Sequence, residues 1–409
     1  MAKKLIVIGG GAAGFFCAVN AAKDNPALNV TLLEKQGKVL QKVKVSGGGR
    51  CNVTHACFQQ SALLKKYPRG KQLLKKSFSV FSAQDTIDWF ARRGVELHTE
   101  SDGRMFPVSN NSQTIIDCLL DEASKYKVNL ILNTEIVSAE KQHDIFILKD
   151  KKQNTFEADY LMIASGGFPK PEQYQWLQAL GHTIHQPAPS LFTFNMPQNP
   201  ICKLMGVSVE NVSVKIVGSK LSESGPLLIT HWGLSGPAVL KLSAWGAREL
   251  QACNYHFSIL VNWVRMPENI LREQWHEIRI KQSTLLMSHK NPLGLPQRLW
   301  EYFLETCHIS FDTKWSELPS KEQNKLINIL TAQELEVKGK TTFKEEFVTC
   351  GGIVPDEIDG YTMQSKIVEN LYFGGEILDV DGVTGGFNFQ HAWTSGFLAA
   401  KSISEKSLK

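Results

Sequence analysis

The sequence lacks the features that mark membrane, secreted and metal-binding proteins. Its 409 residues contain no apolar run of about 18 residues, the length that a membrane-spanning helix needs. The first apolar strand begins almost at residue 1, which leaves no room for a signal peptide. The eight cysteines form no C-x-x-C pair and show no zinc-ligand spacing. We therefore expect a cytoplasmic protein with reduced thiols, no membrane association and no metal.

Acidic residues are missing from one long stretch, the basic segment Lys35–Lys76. It contains no Asp or Glu but eleven Lys and Arg residues, so it carries +11 while the whole chain carries +5. Two interpretations stay open: a solvated basic face, or a binding surface for a polyanion, most naturally RNA. Tyr67 would add a base-stacking surface. The basic residues are Lys35, Lys38, Lys42, Lys44, Arg50, Lys65, Lys66, Arg69, Lys71, Lys75 and Lys76.

The N-terminal segment has the pattern of a dinucleotide-binding unit. An apolar strand is followed by Gly9, Gly11 and Gly14 in the order G-x-G-x-x-G, and a helix is predicted over residues 12 to 22. The first glycine permits a tight turn, the second lets the backbone approach a pyrophosphate, and the third lets helix and strand pack closely. A second apolar strand ends in Glu34, where a carboxylate binds the adenosine ribose. The sequence therefore predicts a bound dinucleotide.

A second glycine-rich loop, Ser46–Asn52, favours FAD over NAD. Three consecutive glycines precede Arg50, and such a run predicts backbone lying against a ligand. The longer FAD needs this second contact for its pyrophosphate and ribitol, whereas an NAD-dependent dehydrogenase does not. Cys51 and Cys57 also invite comparison with redox-active disulfides, but their spacing is one residue longer than in that motif. Buried thiols are the default interpretation.

No second dinucleotide fingerprint occurs in the chain. A buried strand ends in Ala164, Ser165 and Gly166, yet the sequence continues without a G-x-G-x-x-G. We therefore expect tightly but non-covalently bound FAD, with NAD(P)H as an electron donor that docks transiently.

The middle of the chain has a different composition. Residues 191–264 alternate as β-strands do, and helices are predicted near 270–282, 296–307 and 321–330. A further amphipathic helix is predicted over 77–93. The predicted fold class is therefore α/β, with a Rossmann-like FAD-binding domain interrupted by a β-rich domain and a small helical domain. The predicted divisions are an FAD-binding domain at 1–190 plus 346–409, a β-rich domain at 191–267 plus 334–345, and a helical insertion at 268–333.

The last sixty residues return to the style of a nucleotide-binding domain. A predicted strand ends in Glu376, a carboxylate suited to the ribitol hydroxyls, and Gly385–Gln390 begins a helix. A helix N-terminus aimed at the isoalloxazine would stabilise the negative charge of reduced flavin. The two halves of one FAD site are thus predicted at opposite ends of the chain.

These motifs together resemble the BaiN/RdsA family of FAD-dependent oxidoreductases over essentially the full length. The resemblance implies an FAD domain interrupted by a β-barrel-like domain and a helical one. Two departures are Ser165, where the wider superfamily usually has Thr, and Thr54-His55, where members often have Thr-Asn. The motifs are Gly9–Gly14, Ser46–Asn52, Gly103–Pro107, Ala164–Gly167, Thr230–Pro237, Thr362–Ser365, Gly374–Asp379 and Gly385–Asn388.

The resemblance also implies a reaction. The family's proposed substrates, uridine of 23S ribosomal RNA and the enone of 3-oxo bile-acid intermediates, both contain a C=C bond conjugated to a carbonyl. Their reduction needs a hydride on the β carbon, a proton on the α carbon and a donor for the developing enolate oxygen. His231, Cys51, Arg104 and Tyr372 are the catalytic candidates by chemistry alone.

The basic segment favours ribosomal RNA or its precursor as the partner. Two alternatives stay open: a reductase of small-molecule enones, and a flavin-bound RNA-binding or redox-sensing protein without turnover. The oligomeric state is not predicted. The predicted cofactor contacts are Gly9, Gly11, Ala12, Ala13, Gly14, Glu34, Lys35, Lys42, Gly48, Gly49, Arg50, Cys51, Asn52, Val137, Ala164, Ser165, Gly166, Gly375, Glu376, Asp379, Gly386, Asn388 and Phe389.

Overall fold

The computed structural model describes residues 2–289, 291–341 and 348–408. These form two compact units, one of residues 2–190 and 348–408 and one of residues 191–341. The strands are β1 (Lys4–Ile8), β2 (Asn29–Leu33), β3 (Thr54–His55), β4 (Leu97–Thr99), β5 (Arg104–Pro107), β6 (Asn129–Ile131), β7 (Ile136–Gln142), β8 (Ile145–Asp150), β9 (Thr155–Ala158), β10 (Tyr160–Ile163), β11 (Ile184–Ser190), β12 (Thr193–Asn195), β13 (Ser208–Ile216), β14 (Ser222–Thr230), β15 (Gly233–Ser235), β16 (His256–Asn262), β17 (Gln333–Lys338), β18 (Lys340–Thr341), β19 (Val348–Ile353) and β20 (Leu371–Phe373). The α-helices are α1 (Ala12–Asp24), α2 (Gln41–Gly49), α3 (Gln60–Leu64), α4 (Lys71–Ser77), α5 (Ala83–Ala91), α6 (Gln113–Lys125), α7 (Gln175–Gln178), α8 (Pro237–Trp245), α9 (Ala247–Ala252), α10 (Glu268–Lys281), α11 (Gln297–Thr306), α12 (Ser320–Ala332) and α13 (Phe387–Ser407).

A five-stranded parallel sheet organises the first unit. Its strand order is β20-β10-β1-β2-β6, so the first strand of the chain is central and one of the last lies at an edge. In β1 the residues after Lys4 are all buried, as expected for a parallel strand covered on both faces. Helices α1 and α13 pack against each other, and a Cβ on Gly396 would lie only 2.5 Å from the Ala13 carbonyl oxygen. The Rossmann-type α/β fold is therefore confirmed.

The carboxyl ends of the parallel strands meet at one edge of this sheet. Backbone hydrogen bonds fix the turns there: Gly9 N donates to Leu33 O at 2.8 Å, and Ala164 N donates to Ile8 O at 2.8 Å. Gly374 N likewise donates to an oxygen of β10, at 3.1 Å. In open parallel sheets this edge is where ligands bind. Loops that are far apart in sequence thus converge on one place.

Three small antiparallel sheets complete the first unit. They are the pairings β3-β5-β4, β7-β8-β9 and β11-β19. The β7-β8-β9 meander begins beside the end of β2, since Thr134 N donates to Glu34 O at 2.9 Å. The β3-β5-β4 sheet follows the Ser46–Asn52 loop directly in the chain. Both sheets therefore border the predicted cofactor loops.

The second unit is built on a seven-stranded sheet in the order β17-β16-β13-β14-β15-β12-β18. Its two edge strands are consecutive in the chain and are separated by Gly339 alone, which has a left-handed φ of 107°. A single residue cannot bridge a wide gap, so the sheet curls until its edges meet, in the manner of a barrel.

Helices α10, α11 and α12 lie where helices were predicted, which confirms those three predictions.

The helices of the second unit share a hydrophobic core with its sheet. Trp275, Trp300 and Trp315 are fully buried in the same cluster as Val214 of β13 and Val261 of β16. The division of this part into a β-rich domain and a separate helical insertion stays a prediction. The predicted boundary between residues 345 and 346 lies outside the described residues.

The predicted helix over residues 77–93 is wrong as a single element. Helix α4 ends at Ser77, and α5 begins at Ala83. Ser82 starts the new helix, because its backbone N–H donates to the Asp85 carboxylate at 2.7 Å, the reciprocal half of a capping box. No helix in the described part of the chain is long and apolar enough to cross a membrane.

Replacing Trp300 by Ala tests the shared core of the second unit. The Trp300 side chain is fully buried, stacks on Trp315 and donates its indole N–H to Met287 O at 2.7 Å. We expect a loss of about 3–5 kcal/mol in the free energy of unfolding, measured by urea denaturation with circular dichroism. Ile280→Ala is the control, because Ile280 is 64% exposed. An equal effect of the two substitutions would contradict the shared core.

Candidate dinucleotide and active site

The three glycines of the first turn serve different purposes. A Cβ on Gly14 would lie 1.9 Å from the Gly9 carbonyl oxygen, and a Cβ on Gly9 would lie 2.3 Å from Ala164 O. The crossing of the protein's own backbone therefore requires these two glycines. A Cβ on Gly11 would meet no atom within 4 Å. Internal packing does not require glycine there, whereas the close approach of a phosphate does.

Helix α1 presents an uncompensated positive end beside Gly11. Gly11 has no side chain to cap the helix, and the first turn contains no acidic residue. The first backbone N–H groups of a helix, here those around Ala12 and Ala13, have no partner within the helix and attract anions. The predicted pyrophosphate contacts thus have the geometry that this role needs.

Glu34 is fixed by backbone groups on both sides. Its Oε2 accepts from Gly10 N at 2.7 Å and its Oε1 accepts from Gln36 N at 2.8 Å. This arrangement holds the carboxylate at the end of β2, next to the glycine turn, where a ribose would lie. The Lys35 ammonium lies 5.6 Å above the Phe168 ring. Val137, on β7, is 41% exposed and lies in the meander that begins beside Glu34.

The Ser46–Asn52 loop overlaps the end of α2, because the backbone of that helix is non-helical from Ser46 to Gly48. Ser46 has an extended ψ of 148°, and the next three glycines adopt left-handed φ values of 59°, 68° and 84°. Cβ atoms on Gly48 and Gly49 would contact nothing within 4 Å, so the fold leaves room for a ligand beside these exposed glycines. The Arg50 side chain contacts the β3-β5-β4 region of the protein. Its Nη1 lies 2.7 Å from Glu100 Oε1, and its guanidinium lies 4.1 Å above the Phe106 ring.

Asn52 joins this loop to the start of the last helix. With its amide oriented to satisfy both partners, Asn52 donates to Thr54 O and accepts from Gly386 N, each at 3.0 Å. Gly386 has a φ of 88° and precedes the first turn of α13, which contains no acidic residue. A second positive helix end is thereby placed beside the Ser46–Asn52 loop.

Two side chains hold the segment before α13. The Asn388 amide both accepts from Gly382 N at 2.8 Å and donates to Gly382 O at 3.0 Å. Tyr67 donates its hydroxyl to Phe387 O at 2.7 Å. Because Tyr67 is fully buried there, the prediction that it stacks on bases is wrong. Phe389 is half-buried and stacks on Trp393, with ring centroids 5.7 Å apart.

The carboxylates after β20 are held by groups from other elements. Glu376 lies 2.6 Å from Lys42 Nζ and accepts from Thr349 N at 2.9 Å. This ion pair brings predicted cofactor residues from both ends of the chain together. Asp379 accepts from Gly351 N at 2.9 Å and lies 2.6 Å from Nδ1 of His185. Asp379 therefore also has a role in fixing the β11-β19 pair.

Two buried polar atoms beside these loops have no partner in the described part of the chain. One is Nδ1 of His391, whose Nε2 lies 3.2 Å from Gly375 O. The other is Oγ1 of Thr349, which would lie 2.5 Å from a Cβ on Gly167. Unsatisfied buried groups are uncommon in proteins, and a bound cofactor would explain them.

Sequence reasoning missed His391, Thr349 and His185. None of the three belongs to a motif, and each comes to the site through the packing of its helix or strand. The only sequence feature that could have pointed to one of them is that His391 directly follows the Gly385–Gln390 motif. Burial lowers the pKa of His391 to about 4, although its contact with the Gly375 carbonyl opposes the shift.

Two of the four catalytic candidates are buried. Cys51 has a left-handed φ of 62°, and burial raises the pKa of its thiol to about 12 despite the contact with Ser46. Tyr372 donates its hydroxyl to Gln364 Oε1 at 3.1 Å and lies 3.3 Å from the Ser402 hydroxyl. Burial raises the pKa of Tyr372 to about 12. Ser402 lies about 22 Å along α13 from Phe387, so Tyr372 contacts the part of that helix remote from its N-terminus.

The other two candidates reach solvent. Arg104 pairs with Glu100 at 2.8 Å and with Asp102 at 2.7 Å. It lies in β5, where its backbone is in register with His55 of β3, close in sequence to the Ser46–Asn52 loop. His231 belongs to the second unit, where its exposed ring packs edge-on against Trp232. The catalytic assignments of all four residues stay predictions.

The cysteines form no disulfides. None of the eight is bonded to another cysteine, Cys51 and Cys57 included. No group of three or more His, Cys, Asp or Glu residues in the described ranges is arranged to hold a metal ion.

Comparison with known proteins decides the family. The model of the family described as "HI0933-like protein Rossmann domain" matches residues 3–402. The chain belongs to this family. The predicted family resemblance is therefore confirmed.

The chain is also similar to named proteins over nearly its full length. The chain is 31% identical to the ribosomal RNA dihydrouridine synthase of Escherichia coli, over 97% of each chain. It is 26% identical to the 3-dehydro-bile acid delta(4,6)-reductase of Clostridium scindens, over 98% of each. Among solved structures, 3-ketosteroid delta1-dehydrogenase of Sterolibacterium denitrificans is 13% identical, with a TM-score of 0.53 over 98% of this chain and 99% of that one. This last likeness concerns the fold alone.

Gly11→Ala and Gly14→Ala separate ligand contact from packing. We expect Gly14→Ala to cost about 3 kcal/mol or more of unfolding free energy, because its Cβ overlaps the Gly9 oxygen. Gly11→Ala costs no more than about 1 kcal/mol but lowers the affinity for FAD. Urea denaturation and FAD titration of the apoprotein measure the two effects. Unchanged FAD affinity in Gly11→Ala would remove Gly11 from the cofactor site.

The buried His391 predicts a loss of stability in acid. Its pKa is lowered in the folded state, so the unfolded chain takes up the proton first as the pH falls below about 6.5. Between that pH and about 4 we expect the free energy of unfolding to fall by up to about 3 kcal/mol more than in His391→Gln. Urea unfolding across this range measures the difference. The two curves should run parallel above pH 7, and parallel curves throughout would contradict the assignment.

Proposed function

We propose that the chain is an FAD-dependent reductase that converts uridine of 23S ribosomal RNA into dihydrouridine. The observation that carries the choice of substrate is where the basic segment lies. Val383 N donates to Lys66 O at 2.9 Å, and Gly70 packs against Val380. The segment therefore borders the loop that leads into α13, beside the proposed flavin site. The full-length relative named a ribosomal RNA dihydrouridine synthase supports the same choice.

The residues at the carboxyl edge of the parallel sheet suit FAD. The N-terminus of α1 would bind the pyrophosphate, Glu34 the adenosine ribose, and Glu376 with Lys42 the ribitol region. The N-terminus of α13 would lie at the flavin ring and favour its reduced, negatively charged form. When bound, FAD supplies the hydride donor, and NAD(P)H would restore it by docking transiently.

The substrate makes two demands on the protein. A hydrogen-bond donor must stabilise negative charge on the carbonyl oxygen, and an acid must protonate the α carbon. Arg104 reaches solvent in the unit that contains the proposed flavin site and is the preferred candidate, whereas the roles of His231, Cys51 and Tyr372 stay predictions. Ribosomal RNA as the substrate would place the reaction in the cytoplasm.

Reduction of a small-molecule enone is the second candidate function. The Clostridium scindens relative named a bile-acid reductase favours it, and the chemistry on the conjugated C=C bond is the same. A free steroid-like substrate would not explain the positive charge of the basic segment, so we favour RNA as the substrate of this chain.

Half-reactions of the purified protein test the proposal. We expect a yellow protein whose flavin is bleached by NADPH or NADH and is reoxidised, without oxygen, by uridine-containing 23S rRNA fragments. Mass spectrometry of the RNA then finds dihydrouridine. In cells, deletion of the gene removes a dihydrouridine from 23S rRNA, and expression of the wild-type chain restores it.

Two results would overturn the choice of RNA. One is reoxidation by a soluble 3-oxo-4-ene steroid but not by RNA. The other is a normal dihydrouridine content in 23S rRNA from the deletion strain. A flavin that NAD(P)H bleaches but that neither substrate reoxidises would instead support a sensor without turnover.

A further inference from the structure

The basic segment divides into two parts with different surroundings. Three of its side chains form ion pairs inside the fold: Lys42 with Glu376, Arg50 with Glu100, and Arg69 with Asp381. Four lysines around helices α3 and α4 are exposed, and no carboxylate in the described ranges lies within ion-pair distance of them. They are Lys65, Lys66, Lys75 and Lys76. This second part is not explained by folding or by cofactor binding.

Helices α3 and α4 form one continuous surface. Gln60 of α3 donates its side-chain amide to Lys75 O at 2.7 Å. Ser77, the last residue of α4, donates to Gly360 O at 3.0 Å, and the Lys76 ammonium lies 5.7 Å above the Tyr361 ring. Lys76 therefore lies beside Tyr361, with Lys75 next to it in α4, and Lys65 and Lys66 directly follow helix α3, which is hydrogen-bonded to α4. We call this face, comprising Phe58, Lys65, Lys66, Lys75, Lys76 and Tyr361, the α3–α4 surface.

Two aromatic rings on this surface face solvent. Phe58 is 56% exposed and Tyr361 is 54% exposed. Phe58 lies two residues before α3, and Tyr361 lies beside the end of α4. Exposed aromatics among lysines are typical of proteins that bind single-stranded nucleic acid, since bases stack on the rings while lysines neutralise phosphates. Tyr67, buried beneath, cannot take part.

The α3–α4 surface continues directly into the proposed flavin site. The carbonyl of Lys66 is hydrogen-bonded to Val383, in the loop before α13. On the same stretch, Arg69 forms a bidentate pair with the buried Asp381. A strand lying on the surface would thus run alongside the segment that positions the start of α13.

We propose that the α3–α4 surface binds a single-stranded RNA segment that flanks the target uridine. Lys65, Lys66, Lys75 and Lys76 contact its phosphates, and Phe58 and Tyr361 stack with its bases. The inference rests on the proposed function, because it assigns the partner of that same site. An unpaired RNA segment also suits the chemistry, since a uridine within a duplex is stacked and inaccessible to a flavin.

The salt dependence of RNA binding tests the lysines. The holoprotein is titrated with a fluorescent 20-nucleotide oligouridine at several salt concentrations. We expect the quadruple variant K65Q/K66Q/K75Q/K76Q to bind at least about tenfold more weakly at low salt, with a salt slope shallower by about 3. The matched control is K127Q/K149Q/K152Q/K401Q, which removes four exposed lysines of the same unit. Equal effects of the two variants would overturn the proposal.

The aromatic residues are tested separately. Phe58→Ala and Tyr361→Ala should each weaken binding of the oligouridine by about fivefold to 100-fold without changing the salt slope. Binding of an RNA duplex should change little. An equal loss for duplex and single strand, or no loss, would overturn the stacking part. Heparin binding as tight as oligouridine binding at equal charge would reduce the surface to a non-specific polyanion site and also overturn it.

Failure of this inference is distinguishable from failure of the proposed function. If the quadruple variant makes dihydrouridine in 23S rRNA fragments as fast as wild type at limiting RNA, the assignment of RNA binding to the α3–α4 surface is wrong, whereas the proposed function stands. If the surface binds oligouridine as expected but no dihydrouridine forms, the proposed function fails. Flavin content and bleaching by NAD(P)H should be unchanged in all of these variants, which shows that they fold.

Discussion

The close crossing of backbone at the carboxyl edge of the parallel sheet is the constraint on which the rest depends. Gly14 touches the Gly9 carbonyl, and Gly9 touches Ala164, so β1, α1 and β10 approach as closely as main chains can. This contact fixes where the N-terminus of α1 points. The end of β2 with Glu34, and the turn after β20 with Glu376, are attached to the same edge by the sheet itself. No side chain larger than hydrogen is compatible with that arrangement.

Two helix ends give the site its electrostatic character. The N-termini of α1 and α13 both lack acidic residues in their first turns and are preceded by glycine. The chain places them at the two ends of its sequence, yet the packing of α1 against α13 brings the helices together. Asn52 of the Ser46–Asn52 loop and Lys42 of α2 then contact the C-terminal segment, at Gly386 and Glu376. A long anionic ligand with a redox-active ring suits such a site.

Positive charge is used in two ways in the basic segment. Where lysines and arginines meet carboxylates of the fold, as Arg69 meets the buried Asp381, they hold loops in place. A buried pair of this kind contributes chiefly by fixing geometry, since desolvation offsets much of its attraction. Lys65, Lys66, Lys75 and Lys76 have no carboxylate within ion-pair distance in the described ranges and remain available to phosphates. The two uses explain why the segment carries far more charge than a pyrophosphate needs.

The sequence by itself determined the Rossmann-type fold and the family, and it predicted the loops that are proposed to hold the cofactor. Glycine spacing and continuous apolar strands are local patterns with strict steric meaning, so the close backbone packing at Gly9 and Gly14 was predictable residue by residue. Only the tertiary structure decided that Tyr67 and Tyr372 are buried and that Lys42 meets Glu376. It alone brought His391 and Thr349 to the site. Burial and contact between distant residues depend on how elements pack, and no local pattern encodes that packing.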